Sequence, residues 1–379
     1  MVWYARFNGP YGNLAATKST GVPVVGKKGR KQEAYNKANQ MLETLQYQNS
    51  PVYLTYLESF WKEDSKYAKT KRIAEKKPLS KDYIKLNAAG IKKHVMPFPG
   101  FKKINLADLK PGMIEDWKLW ALERGVGPRR INAILQSMAV PVRYALSRGE
   151  IPSDPFRTVK NVSYTTKEKG ILSRKEVGSL LSVKDDDPRV TLVVLLAVLT
   201  GIRRGEARGL RWKDIDRTEG IIHIQNNYVD SEGSKSCKWG SARDVLLPTA
   251  AKEALEEVHA KSPYTLPDDF VLFSLFSRKE PISGDTIRRG FFRMLKHAGI
   301  PREEQKKRNL TYHGMRHTFV TLARMAGLPD ITVQALAGHK SAEMMNHYSH
   351  AAQVIDFSEA RKKLEGIEYP EADTKEAKG

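Results

Sequence analysis

Apolar residues recur at helical spacing through most of the chain and alternate in only a few short places. Val52–Tyr67, Lys81–His94, the Ala107–Trp120 region and Pro128–Arg148 read as helices, punctuated by Pro111, by Gly125–Pro128 and by Gly149–Pro155. Lys31 to about Gln48 also has helical composition. Val190–Thr200 is a strongly apolar run of 11 residues, well short of the roughly twenty that cross a bilayer, so it predicts a buried helix. Before it, Ser173 with Glu176 three residues on predicts a capped helix start. Near the end, Phe319, Leu322 and Met325 form an apolar repeat that stops at the Gly-Leu-Pro after Ala326. A further helical segment ends in Ala337-Gly338-His339, and Val354–Leu364 reads as a short amphipathic helix. Strand patterns are confined to Trp3–Phe7, followed by the turn residues Asn8-Gly9-Pro10, and to Val22–Val25, Ile221–Ile224 and Val245–Pro248. The expected fold is mainly α with small β-sheets, an α+β class divided among several domains.

Charge changes this picture by giving it a direction. The 379 residues carry a formal charge of +21. Counting from the sequence, residues 1–50 are net +5, residues 51–162 net +11 and the remainder net +5. A basic front coupled to a nearly balanced rear predicts a grip on a polyanion, DNA above all, ahead of a separate chemical unit. We place domains at 1–50 (short strands plus a helix), 51–162 (helical) and 163–379, with Arg157–Lys169 as linker and a charged tail from Glu368 expected to be disordered. Arg129, Arg130, Arg143 and Arg148 on the last helix of the second domain are candidates for phosphate contact, or equally its solvated face. A single cysteine, Cys237, excludes an intramolecular disulfide framework and a Cys-rich zinc module. With no stretch resembling a signal peptide or a membrane span, a cytoplasmic, DNA-associated protein is expected.

Candidate chemistry lies in three stretches. In Thr200-Gly201-Ile202-Arg203-Arg204-Gly205-Glu206, a glycine and then an arginine close a buried helix, which lets a guanidinium point into a cleft, with Glu206 placed to orient it. An ordinary helical ion pair is the plain alternative. Between the strands at 221–224 and 245–248 lies a polar loop with Lys235 and Lys238; a lysine on such a tip delivers a mobile ammonium that donates a proton to a leaving oxygen. From Thr311 to His350, His313 and Arg316 share a helix face, His339 follows a glycine, and Tyr348 lies nine residues further on. A tyrosine nucleophile, proton-handling histidines and fixed cations are what covalent attack on phosphorus requires. His313 and His317 are four apart, but glycine follows His313 where a zinc-protease motif has glutamate, so no metal is assigned.

Taken together, TGIRRGEARGLRWKDID, HGMRHT and AGH followed by the tyrosine of HYSH resemble the tyrosine recombinase (phage integrase) family. The size and order of the two N-terminal units are similar to an arm-site and a core-binding domain. The resemblance implies that Arg203 and Arg316 clamp the scissile phosphate, with His313, His339 and a lysine, Lys238 or else Lys235, completing the site around the nucleophile Tyr348. Glu206 would support Arg203, and Ala337 stands where the family more often has leucine. It further implies two transesterifications through a 3′-phosphotyrosyl link without ATP or metal, double-stranded attachment sites as substrate, a homotetramer on DNA, and DNA-bending or directionality factors as further partners. The neighbouring readings are a type IB topoisomerase-like enzyme and a non-catalytic DNA-binding regulator.

Overall fold

The computed structural model describes residues 2–8, 14–24, 30–46, 50–165, 168–236, 242–338 and 357–369. The turn at Gly9-Pro10, Val25, Cys237, Lys238, His339, Tyr348 and the tail beyond Tyr369 therefore lie outside the described residues. The chain divides into two units, Met1–Thr165 and Thr166–Gly379.

In the first unit, β1 (Val2–Asn8) pairs antiparallel with β2 (Leu14–Pro23), Ala5 facing Lys18 and Arg6 facing Thr17. The second strand is longer and earlier than the Val22–Val25 pattern predicts. Its polar Thr17-Lys18-Ser19-Thr20 run gives no apolar signal, yet it supplies the ladder, and Thr20 also donates to the Trp3 carbonyl at 2.8 Å. Pro23, lacking an N–H, falls at its end. Helix α1 (Lys31–Gln46) packs on this hairpin.

The helices α2 (Tyr53–Phe60), α3 (Lys66–Ile73), α4 (Lys81–His94), α5 (Pro111–Glu123) and α6 (Pro128–Ser147) follow. The single helix expected over 52–67 is broken in two. Ser65 takes the N-cap of α3, accepting from the Ala68 N–H at 3.2 Å, because its hydroxyl satisfies a first-turn donor better there than in mid-helix. Trp61, in the break, is buried and donates its indole N–H to the Ser137 carbonyl at 2.9 Å. Helix α5 starts at Pro111 rather than near Ala107; proline is well suited to a first turn, whose N–H needs no intrahelical partner. Ile131, Ile134, Leu135, Met138, Val142 and Ala145 form one buried stripe of α6, against a core that includes Tyr53, Leu57, Phe101, Ile114 and Trp117.

In the second unit, α7 (Arg174–Leu181) opens on the expected capping box: Ser173 accepts from the Glu176 N–H, and Glu176 accepts from the Ser173 N–H at 2.8 Å. Helix α8 (Pro188–Thr200) is the buried apolar run and the scaffold of the unit. Around it pack α9 (Arg204–Gly209), α10 (Thr249–Lys261), α11 (Gly284–His297) and α13 (Gly314–Met325), with α12 (Arg302–Lys307) against α11. A three-stranded antiparallel sheet has the order β3 (Ile215–Asp216), β4 (Ile221–Ile224), β7 (Arg243–Leu246).

Inside the polar stretch between β4 and β7, a second hairpin forms from β5 (Asn226–Val229) and β6 (Gly233–Ser236). Its residues have little strand propensity; Tyr228 anchors it, buried edge-on to Phe270 and covered by the Arg208 guanidinium. Helix α14 (Asp330–Ala337) packs on α13 and β7. The last described helix is α15 (Phe357–Glu365), and residues 354–356 of the Val354–Leu364 pattern lie outside the described residues. Its Ala360 and the following Ile367 are buried in the core of the same unit.

Candidate active site

The site begins where α8 must stop. Gly201 closes that helix in the left-handed region, φ +67°, and a Cβ there would lie 2.7 Å from the Phe319 ring, so both backbone and space call for glycine. The chain leaves this turn with Arg203 at the start of α9. Glu206, one helical turn on, accepts from the Arg203 backbone N–H at 2.9 Å and from its Nη1 at 2.6 Å.

The pair is more than a surface i,i+3 contact. Arg243, at the start of β7, donates Nη2 to the Oε2 of Glu206 at 2.9 Å and Nη1 to Oε1 at 3.2 Å. The two arginines then reach the end of α14: Arg243 donates Nε to the Leu336 carbonyl and Arg203 donates Nη2 to the Gly338 carbonyl, both at 2.7 Å. Arg316, on the first turn of α13 and only 2% exposed, donates Nη1 to the Gly201 carbonyl at 2.8 Å. Motifs more than a hundred residues apart thus meet at the 201–206 turn.

The electrostatics follow from this crowding. Burial alone would raise the Glu206 carboxyl, but the hydrogen bond and charge of Arg243, with the Arg203 backbone bond and charge, outweigh it and hold the group down to about 2. Arg316 is pushed down to about 9, first by burial and then by the positive charges of Arg203 and Arg243, with Glu206 acting in opposition. It remains charged at neutral pH. His313, the N-cap residue of α13, is held below its ordinary value by burial and by the positive charges of Lys169, His317, Arg316 and Arg203, so it is neutral at pH 7. His317, its ring 5.9 Å from that of His313, is lowered by burial, Lys169 and Arg316.

One pH dependence follows. Glu206 is lower in the folded chain than the ordinary 4.5 of the unfolded one. Its ionised form therefore adds stability fully above about pH 4.5, and that contribution is lost as pH falls towards about 2. Urea midpoints of the wild type and Glu206→Gln are expected to differ most at pH 7 and to converge as pH falls from about 4.5 towards about 2. A gap independent of pH would mean that Glu206 contributes only shape.

The remaining candidates divide. Lys235, on β6, faces Asn227 across the hairpin and is ion-paired with Glu232. Lys238, His339 and Tyr348 lie outside the described residues, although Gly338, bonded to Arg203, immediately precedes His339. On α6, Arg129 and Arg130 line a surface groove with Tyr164 and Thr165, whereas Arg143 pairs with Asp154 at 3.0 Å and Arg148 with Glu150. At 1.5 Å per residue the two pairs of arginines are separated by about 20 Å or more along the helix, so no single phosphate is shared between them. Arg243 was not foreseen as a site residue. Its local signal is its place five residues after Lys238, at the head of the Asp244-Val245-Leu246 strand.

A buried carboxylate is thus gripped by two arginines, with a third buried arginine beside it, on a helical scaffold. Residues 171–354 match the model of the phage integrase family. Curated relatives include a XerC-like tyrosine recombinase of Caldanaerobacter subterraneus subsp. tengcongensis, 25% identical over 258 residues, which cover 60% of this chain and 64% of that protein. The prophage integrase IntR of Escherichia coli is 26% identical over 245 residues, covering 59% of this chain and 57% of that one. Each match thus spans less than two thirds of the relative's own length.

Among solved structures, the Tn1549 transposon integrase in complex with circular intermediate DNA superposes with a TM-score of 0.58 at 19% identity, covering 83% of this chain and 99% of that one. A lambda integrase tetramer bound to a Holliday junction gives a TM-score of 0.58 at 18% identity, covering 98% and 95%. At such identities the likeness establishes the fold. Residues 171–354 of the chain carry a phage integrase family domain.

Proposed function

We propose that the chain is a site-specific DNA recombinase, the integrase of a phage or other mobile element, that cuts and rejoins DNA through a 3′-phosphotyrosyl intermediate. The observation that carries this reading is the convergence of Arg203 and Arg316 on one turn, braced by Glu206. Two guanidinium groups aimed at one place suit the non-bridging oxygens of a phosphodiester, whose charge grows in the transition state.

In the proposed reaction the Tyr348 Oη attacks phosphorus, the bond to the 5′-oxygen breaks, and Lys238 protonates that leaving oxygen, with Lys235 as the alternative donor. His313 and His339 complete the hydrogen bonding to the phosphate. A 5′-hydroxyl of a partner duplex then attacks the phosphotyrosine, releasing Tyr348, so the number of phosphodiester bonds is conserved. On this reading residues 1–50 bind arm sites, 51–162 hold the core site with Arg129 and Arg130 nearer to phosphates than Arg143 and Arg148, and 163–379 carry the chemistry. Four protomers act on two duplexes, with accessory bending or directionality proteins as further partners.

The test is covalent trapping. The full chain is incubated, with EDTA and without ATP, on nicked duplexes tiled across DNA flanking its gene, then denatured in detergent. A protein–DNA species whose linked peptide contains Tyr348 is expected. Duplexes that the protein footprints tightly yet never links to would overturn the catalytic reading in favour of a DNA-binding regulator. Relaxation of supercoiled DNA with no strand exchange at any linked site would favour a topoisomerase.

A further inference from the structure

We propose that Arg243 is a positioning residue for strand cleavage, one that holds the Glu206 carboxylate and the end of α14 together so that Arg203 is presented to the phosphate. This rests on the recombinase reading and adds a residue to it.

Glu206 has two oxygens and four bonds to satisfy them. Oε1 takes Arg203 Nη1 at 2.6 Å and Arg243 Nη1 at 3.2 Å; Oε2 takes the Arg203 backbone N–H and Arg243 Nη2, both at 2.9 Å. A planar fork from Arg243 fixes the plane of the carboxylate, which a point cation would leave free to rotate. The Nε bond to the Leu336 carbonyl ties the same guanidinium to the last turn of α14, where carbonyls lack intrahelical partners. Packing reinforces the tie: Gly338 has φ +65°, and a Cβ there would lie 2.8 Å from Arg243 Nη1, so the turn leading to His339 closes directly over this side chain.

Exposure separates the roles of the two arginines. The Arg203 side chain is 36% exposed and open to a ligand, whereas those of Arg243 and Glu206 are 8% and 5% exposed and lie behind it. Arg243 also shares the negative charge of Glu206. With Glu206 left to Arg203 alone, the pair would be neutral and a poorer host for a phosphodiester. Arg243 therefore acts through Glu206 and α14 without touching the phosphate.

The experiment uses the full chain on a nicked duplex that the wild type links to, measuring single-turnover adduct formation, DNA affinity and thermal midpoint. Arg243→Met is expected to cleave about 10- to 100-fold more slowly, the scale of a small misplacement of reacting groups, with affinity unchanged. The acid limb of its rate profile is expected about one pH unit higher, because Glu206 has lost its fork. On a Glu206→Gln background the same substitution is expected to cost little and to move no limb. Arg243→Lys, which keeps a cation but not the fork, is expected to fold like the wild type and cleave about tenfold more slowly.

Equal rates for wild type and both Arg243 variants would overturn the proposal alone. So would a loss that is undiminished on the Glu206→Gln background and leaves the acid limb in place, since a merely structural role predicts that pattern. Absence of any adduct from the wild type would overturn the recombinase reading and this proposal with it.

Discussion

Replacing Tyr348 by phenylalanine is expected to remove the covalent protein–DNA species and leave DNA binding within about twofold. The two parts of this expectation have different physical origins. Binding depends chiefly on counterions released from phosphates by lysine and arginine, and residues 1–162 hold +16 of the net +21. Deleting one neutral hydroxyl from the other end of the chain changes none of those charges. In the proposed mechanism cleavage requires that hydroxyl as its nucleophile. Phenylalanine has no oxygen to bond phosphorus, so the groups that would stabilise the transition state are left without an attacker and no adduct forms. Single-turnover trapping at saturating protein, with affinity measured at two salt concentrations, separates the two. An adduct that persists in the phenylalanine variant would show that another side chain is the nucleophile.

What could be read from the sequence is instructive about where physical information sits. Arg203, Glu206, His313 and Arg316 stand out because each lies in a short motif with a local reason for its spacing: a glycine that ends a buried helix, a carboxylate one turn further on, a histidine and an arginine one turn apart. The structure brings Arg203, Glu206 and Arg316 together at the end of α8. Arg243 has only its spacing, five residues after Lys238, as a local sign. Its partners Glu206 and Leu336 are 37 and 93 residues away in the chain, and a strand-opening Arg243-Asp244 pair looks like any charged surface turn. The interaction is created by the fold, so only the fold reveals it.

The same distinction explains the elements. α4 matches its expected bounds and α6 ends one residue early, because a periodic apolar stripe and clear end signals agree there. The break between α2 and α3 is not visible in the apolar period; α2 ends at Phe60 and Ser65 starts a new helix as its N-cap. The β5–β6 hairpin was missed for the opposite reason: its residues are polar, and one buried tyrosine under an arginine decides its place. Local propensity loses wherever a single tertiary contact is stronger than the preference of a four-residue segment.

Replacing Arg316 by methionine is expected to lower the cleavage rate about a hundred- to a thousandfold while leaving the thermal midpoint unchanged or raised. A cation only 2% exposed, beside two further arginines and one carboxylate, is electrostatically costly, and its lowered pKa of about 9 reports that cost. Its Nη1 bond to the Gly201 carbonyl offsets part of it. Methionine fills a similar volume without a charge to desolvate, and replacing buried ionic groups by apolar ones of like size is often neutral or stabilising. Bound phosphodiester reverses the balance. In the proposed reaction the positive charges that repel one another in the free chain act together as an oriented anion site, and the loss of one such donor costs about 10^2- to 10^3-fold in rate. The measurement pairs single-turnover adduct formation with thermal unfolding in the absence of DNA. A variant that is both slow and markedly less stable would make Arg316 a structural keystone, whereas a slow variant of undiminished stability locates its role in the reaction.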